Sequence, residues 1–192
     1  KWWRVIDGHA CFLAMQSIDE LFKEVRTWVR ESALSCWDRK AHTGLLRYAV
    51  IRASTQGETM VSIITSVPQD EHEEQQARLA LATLASRSGA STLIWIKNST
   101  ITDVSFGDIL EVVSESGFIT QDISGIQYRI SPQAFFQTNP YAAPLLLDAV
   151  KEFCGDLRQR TLLDLYCGTG FFSVALAHQT RRTVGVELSV MQ

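Results

Sequence analysis

Thr161-Leu162-Leu163-Asp164-Leu165-Tyr166-Cys167-Gly168-Thr169-Gly170-Phe171-Phe172 decides how the chain is read. Apolar residues run to Asp164, a short segment holding Gly168 and Gly170 follows, and Phe171, Phe172, Val174, Ala175 and Leu176 resume an apolar, helix-compatible pattern. This predicts strand, tight loop, helix. The loop needs glycine because it must turn through φ values that a Cβ resists and bring its backbone close to a ligand. The N–H groups of the following helix then face that ligand. Thr183-Val184-Gly185-Val186-Glu187 reads as a second short strand ending in a carboxylate. In a doubly wound sheet, an acid at the end of the second strand is positioned to accept both hydroxyls of a ribose, so the expected ligand is a nucleoside-bearing cofactor.

Dinucleotide folds and S-adenosylmethionine folds share that architecture. The dinucleotide fingerprint asks for a third glycine where this chain has Ser173, and it does not ask for an acid four residues before its first glycine. Asp164 fits better as the acid that opens a loop resembling the Asp-x-Gly-x-Gly-x-Gly of methyltransferases. Tyr166 replaces the first of those glycines and Cys167 follows it. A side chain at 166 is expected to project into the cofactor pocket, where a phenol ring could lie against the ligand. A Rossmann-like loop for another nucleotide is the alternative.

With 192 residues, 46% hydrophobic and 20% charged, the chain has the composition of an ordinary globular protein and room for one domain or two. No run is long and apolar enough to cross a bilayer. Asp7, Gly8 and His9 interrupt the start before a signal-peptide core could form. Cys11, Cys36, Cys154 and Cys167 include no Cys-x-x-Cys pair, so neither a disulfide framework nor a self-contained zinc site follows, and a reducing cytoplasm is the expected setting. A net charge of −3 argues against gripping nucleic acid by bulk electrostatics. Lys1 to Arg52 nevertheless carries nine basic and six acidic residues, which would allow a basic patch there. A cofactor fold opening near residue 134 would have used two strands by Gln192, where a parallel sheet commonly carries about five or more, so the sequence is expected to stop inside a domain.

Along the chain, Ser17 to Arg30 is predicted as a helix with a Ser17/Glu20 capping box and Ile18, Leu21, Phe22, Val25, Trp28 and Val29 on one face. Lys23, Arg26 and Arg30 lie off that face, as a solvated surface. Leu45–Ser54 and Thr59–Ser66 read as a hairpin, Asp70–Ser86 as a helix with Leu79, Leu81 and Leu84 toward its end, and Leu93–Lys97 as a strand. Ile109–Val113, Phe118–Ile123 and Ile126–Ile130 read as a small antiparallel meander. Pro140 is expected to start a helix whose apolar face is Leu145, Leu146, Ala149, Val150 and Phe153. Just before it, Gln137 and Asn139 have turn and capping chemistry as their simplest roles. The whole suggests an α/β protein, a mixed α/β domain of about 130 residues leading into the cofactor fold.

Two separated motifs then converge. Ser-Pro-x-x-Phe-Phe-Gln-x-Asn at 131–139, followed by Leu-Asp-Leu-Tyr-Cys-Gly-x-Gly at 163–170 and Val-Gly-Val-Glu at 184–187, resembles the RNA 5-methyluridine methyltransferases, including spacings of 29 from Gln137 to Tyr166 and 21 from Tyr166 to Glu187. Gly44-Leu45-Leu46-Arg47-Tyr48-Ala49-Val50-Ile51-Arg52 is similar, more loosely, to that family's central domain. The resemblance implies a central RNA-facing α/β domain over 1–133, and over 134–192 the first part of a Rossmann-like class I methyltransferase domain. It implies a methyl group moved from S-adenosylmethionine to carbon 5 of a uridine in ribosomal or transfer RNA. Gln137, Tyr166, Gly168 and Glu187 would contact the cofactor, Glu187 at its ribose. The family's asparagine after the second loop glycine is Phe171 here, which puts that contact in doubt.

Carbon 5 of uracil is a poor nucleophile. In the family a cysteine thiolate adds at carbon 6, carbon 5 attacks the methyl sulfonium, and a base removes the carbon 5 proton. The resemblance puts that cysteine and base beyond Gln192, so no catalytic residue is expected in these 192 and the chain by itself is expected to be inactive. Cys167 reads as a small packed residue and not as the nucleophile. Cys11 could be the last of four iron–sulfur ligands found in some relatives, with the other three upstream of Lys1. Two other readings stay open: a methyltransferase of this fold acting on a different substrate, and a noncatalytic RNA-binding module.

Overall fold

Leu21, Val25 and Trp28 recur at helical spacing, and α1 (Gln16–Glu31) turns all three inward. A computed structural model describes residues 11–188 of the chain. Lys1, Arg4, Asp7, Gly8 and His9, which enter the charge and signal-peptide readings, lie outside the described residues. Contacts group residues 11–53 with 59–115, and residues 54–58 with 116–188. This division differs from the sequence-based boundary at 133/134.

In the first unit, β1 (Leu46–Ala53) and β2 (Thr59–Ser66) form the expected antiparallel hairpin, with Val50 opposite Ser62 and Arg52 opposite Met60. Helix α2 (Glu71–Ser88) then carries the chain over to β3 (Thr92–Asn98), which runs parallel to β2 with Ile63 opposite Trp95. The crossover buries Ala77, Leu81 and Leu84 together with Leu21, Val25 and Trp28 against Val61, Ile63, Leu93 and Trp95. Trp28 Nε1 donates to the Ala80 carbonyl at 2.7 Å, which satisfies the one polar atom that the ring carries into this core. Both β2 and β3 are apolar on successive residues because both of their faces are buried.

Several sequence expectations change here. The Ser17/Glu20 capping box does not form: Met15 is the N-cap, no side chain caps α1, and Glu20 instead accepts from Gln16 Nε2 at 2.7 Å. The cap that does form is at α2, where Asp70 accepts from the Glu73 N–H at 2.8 Å and Glu73 accepts from the Gln69 N–H at 2.7 Å. Phe22 is half exposed, and Leu79 points to solvent because the buried stripe of α2 runs 77, 81, 84. The three-stranded meander does not exist. Its first strand, β4 (Ile109–Ser114), pairs antiparallel with β3, while β5 (Ile119–Ile123) and β6 (Ile126–Ile130) form a separate hairpin in the second unit. Glycine punctuation marks the ends of these strands and carries no information about which partner each chooses.

The second unit starts from that hairpin. The Glu58 carboxylate accepts from the Thr120 N–H at 2.6 Å and from its hydroxyl at 2.9 Å. The buried Gln121 amide accepts from the Thr55 N–H at 3.0 Å and donates to the Thr55 hydroxyl at 2.7 Å. Helix α3 (Ala143–Cys154) begins later than expected. Pro140 lies in a preceding turn, Asn139 Oδ1 accepts from the Tyr141 and Ala142 N–H groups at 3.0 and 3.1 Å, and Pro144 falls in the first helical turn. The helix buries Ala143 and Leu147, leaving Leu145, Leu146 and Phe153 of the expected face in solvent. Periodicity identifies such a stripe but cannot tell whether the described residues include a surface to receive it. Then come β7 (Thr161–Leu165), the short helix α4 (Phe171–Leu176) and β8 (Arg182–Val186), with β8 parallel to β7. No helix among the described residues is long and apolar enough to cross a membrane.

Candidate functional site

Parallel pairing of β7 with β8 puts Asp164 opposite Gly185 and Leu165 opposite Val186. The next residue on each strand is therefore Tyr166 and Glu187, side by side at the carboxyl ends, where open α/β sheets bind their ligands. The ladder continues one step further, since the Cys167 N–H donates to the Val186 carbonyl at 3.1 Å.

The loop after β7 turns on three left-handed residues, Tyr166 at φ 60°, Gly168 at φ 53° and Gly170 at φ 79°. Two carboxylates hold it. Glu187 Oε2 accepts from the Gly168 N–H at 2.8 Å, and Asp164 Oδ2 accepts from the Ser173 N–H at 3.0 Å. Ser173 is the third residue of α4, so Asp164 supplies from the strand the cap that Gly170, which has no side chain, cannot give. That is the structural reason for an acid four residues before the first loop glycine. The Cys167 thiol lies over Gly185, where an added Cβ would stand 2.9 Å from Sγ, so Cys167 has a packing role as the sequence suggests.

Tyr166 is the one non-glycine residue among these three, and its side chain is 86% exposed. An aromatic residue in the left-handed region costs on the order of 1–2 kcal/mol, and such strain points to a role for the side chain. Tyr166→Gly should therefore leave the unfolding midpoint unchanged or raise it, while weakening cofactor binding severalfold. Denaturant titration and calorimetry read the two effects separately, and a variant that binds as well as the native protein would remove the ring from the site.

Gln137 is half-buried in the segment that leads to α3. Its neighbour Phe136 is buried, with its ring centroid 5.9 Å from Phe171 in an edge-on contact and 5.4 Å from Tyr128. The Phe136–Phe171 pair fastens the 131–139 motif to the first residue of α4, so the two motifs that are 29 residues apart in sequence share one aromatic cluster. Phe171 is 6% exposed inside this cluster, which is why it cannot take the part of the asparagine it replaces. The sequence reading missed Tyr128. Its alternation within β6 marks it as buried, but nothing in it signals that its hydroxyl meets the Phe171 carbonyl at 2.9 Å.

Gly168 and Gly170 take the loop's left-handed turns, and the Tyr166 ring is exposed beside them. The Glu187 carboxylate takes N–H bonds from Leu188 at 2.9 Å on Oε1 and from Gly168 at 2.8 Å on Oε2. Cys11 is exposed, and no group of three or more potential metal ligands occurs among the described residues.

The family described as tRNA (Uracil-5-)-methyltransferase matches residues 15–192. An uncharacterised RNA methyltransferase of Caldanaerobacter subterraneus is 30% identical over 98% of this chain and 42% of its own length. The tRNA (uracil(54)-C(5))-methyltransferase of Pyrococcus furiosus is 30% identical over 97% and 42%. Among solved structures, Pyrococcus abyssi tRNA (uracil-54, C5)-methyltransferase in complex with S-adenosyl-L-homocysteine superposes with a TM-score of 0.78 at 28% identity, over 98% of this chain and 45% of that one. The chain thus spans about two-fifths of the length of the curated relatives it matches.

Proposed function

We propose, from the premise that this chain belongs to the tRNA (uracil-5-)-methyltransferase family, that the whole protein methylates carbon 5 of a uridine in transfer or ribosomal RNA. The observation that carries the reading is the meeting of Tyr166, Gly168 and Glu187 at the carboxyl ends of two parallel strands, with Gln137 tied to the same loop through Phe136 and Phe171. S-adenosylmethionine, when bound, supplies an electrophilic methyl group on a sulfonium. Glu187 would accept hydrogen bonds from its ribose, Tyr166 would offer a ring to it, the Gly168 backbone would admit its close approach, and Gln137 would contact it from the segment before α3.

In this reading, residues 134–192 begin the Rossmann-like class I methyltransferase domain and residues 1–133 make up the RNA-facing part. The exposed Lys40 and His42, and Arg39 once it leaves its ion pair with Asp103 at 3.1 Å, would offer contacts to RNA there, near Trp37, whose ring lies 4.7 Å beneath the Arg47 guanidinium. Cys167, packed on Gly185, has no part in the chemistry. The cysteine and the base that attack on uracil requires belong to the rest of the protein.

The complete protein, incubated with S-adenosylmethionine and RNA from cells lacking its gene, should restore 5-methyluridine at a single mapped position by mass spectrometry. RNA from those cells carrying every 5-methyluridine of the parent strain would refute the reading.

A further inference from the structure

We propose that Tyr128 is a positioning residue for the cofactor loop: its hydroxyl fixes the start of α4 so that Gly168, Gly170 and Gln137 face the same ligand. The inference rests on the cofactor reading above and assigns a role in it to a residue far from either glycine in sequence.

Tyr128, Phe136 and Phe171 come from three separate segments: β6, the stretch before α3, and the first position of α4. All three side chains are buried. Their rings close a triangle, with centroids 5.4 Å apart for Tyr128 and Phe136, 5.7 Å for Tyr128 and Phe171, and 5.9 Å for Phe136 and Phe171. Ring packing sets separations but tolerates rotation and sliding, whereas a hydrogen bond fixes a direction. The one hydrogen bond joining ring to backbone in this triangle is the Tyr128 hydroxyl donating to the Phe171 carbonyl at 2.9 Å. That carbonyl belongs to the residue directly after Gly170. The Glu187 and Asp164 carboxylates and the Cys167 N–H also restrain the loop, and these come from β7, β8 or the loop itself. Tyr128 is therefore a polar group that ties the end of the loop to an element outside the β7–β8 pair. Burial pushes its phenol up to about 12, so it stays a donor throughout the working range of pH.

The test is Tyr128→Phe in the complete protein, which keeps the ring and removes the donor. S-adenosylhomocysteine affinity by calorimetry and KM for S-adenosylmethionine should each weaken about fivefold or more. The KM for RNA and the kcat should stay near native values, and the unfolding midpoint of the ligand-free protein should fall only as far as the loss of one buried hydrogen bond lowers it. Affinity within twofold of native overturns the proposal. So does a variant that does not fold, since that makes the bond a support of the fold alone. If the unaltered protein fails to bind S-adenosylhomocysteine, the cofactor reading falls and this proposal with it.

Discussion

Glu187→Ala in the complete protein should weaken S-adenosylhomocysteine binding by about 1.5–3 kcal/mol, the range for hydrogen bonds to a charged group. By calorimetry that is a loss of about 10- to 150-fold in affinity. Two separate effects contribute. The substitution removes the acceptors proposed for a ribose, and it releases the Gly168 N–H that Glu187 Oε2 holds at 2.8 Å, so the loop loses one of the two carboxylates that hold it. Glu187→Gln divides them, because an amide oxygen can still accept from Gly168 while the charge is gone. Its affinity should fall between native and alanine. If Glu187→Ala binds as tightly as native, Glu187 is a structural pin and nothing more.

Gly44→Ala should produce the largest loss of stability, more than about 4 kcal/mol, the range reserved for a forced backbone rearrangement. Gly44 sits at φ 104°, and a Cβ there would fall onto the Cys36 carbonyl, with Trp37 Cα at 3.0 Å. Neither atom can swing aside, because the segment is held on both sides: the Trp37 N–H donates to the Leu46 carbonyl at 2.8 Å and the Leu45 N–H donates to the Ser35 carbonyl at 3.0 Å. Gly57→Ala is the control. It has φ 88° with nothing within 4 Å of its added Cβ, so it should cost only the backbone strain of about 1–2 kcal/mol. Urea titration of both variants in the same background isolates the clash, and equal losses would show that strand β1 can shift to accommodate it.

The elements along the chain were largely legible because each is encoded within a few residues. Leu21, Val25 and Trp28 announce α1, and Leu81 and Leu84 in the stretch from Asp70 to Ser86 announce α2. The order apolar run, glycine loop, apolar run announces β7, its loop and α4. Errors came where one local pattern fits two partners. Ile109–Val113 is an equally good strand beside Ile119–Ile123 or beside Trp95, and tertiary packing chose the latter. The stripe Leu145, Leu146, Phe153 looks like a core face, yet α3 is rotated to bury Ala143 and Leu147.

By itself the sequence determined the strand–loop–helix at 161–176, the acid that closes the second strand, and the two spaced motifs of the family, since glycine, proline and carboxylate requirements are set by backbone stereochemistry and by short-range hydrogen bonding. Only the tertiary structure decided that Asp164 caps α4 across the turn, that Glu187 also pins the loop, and that Tyr128 reaches the Phe171 carbonyl from 43 residues away. These contacts depend on the direction of side chains brought together by folding, and the periodicity of apolar residues reports which side chains are buried without reporting what they meet.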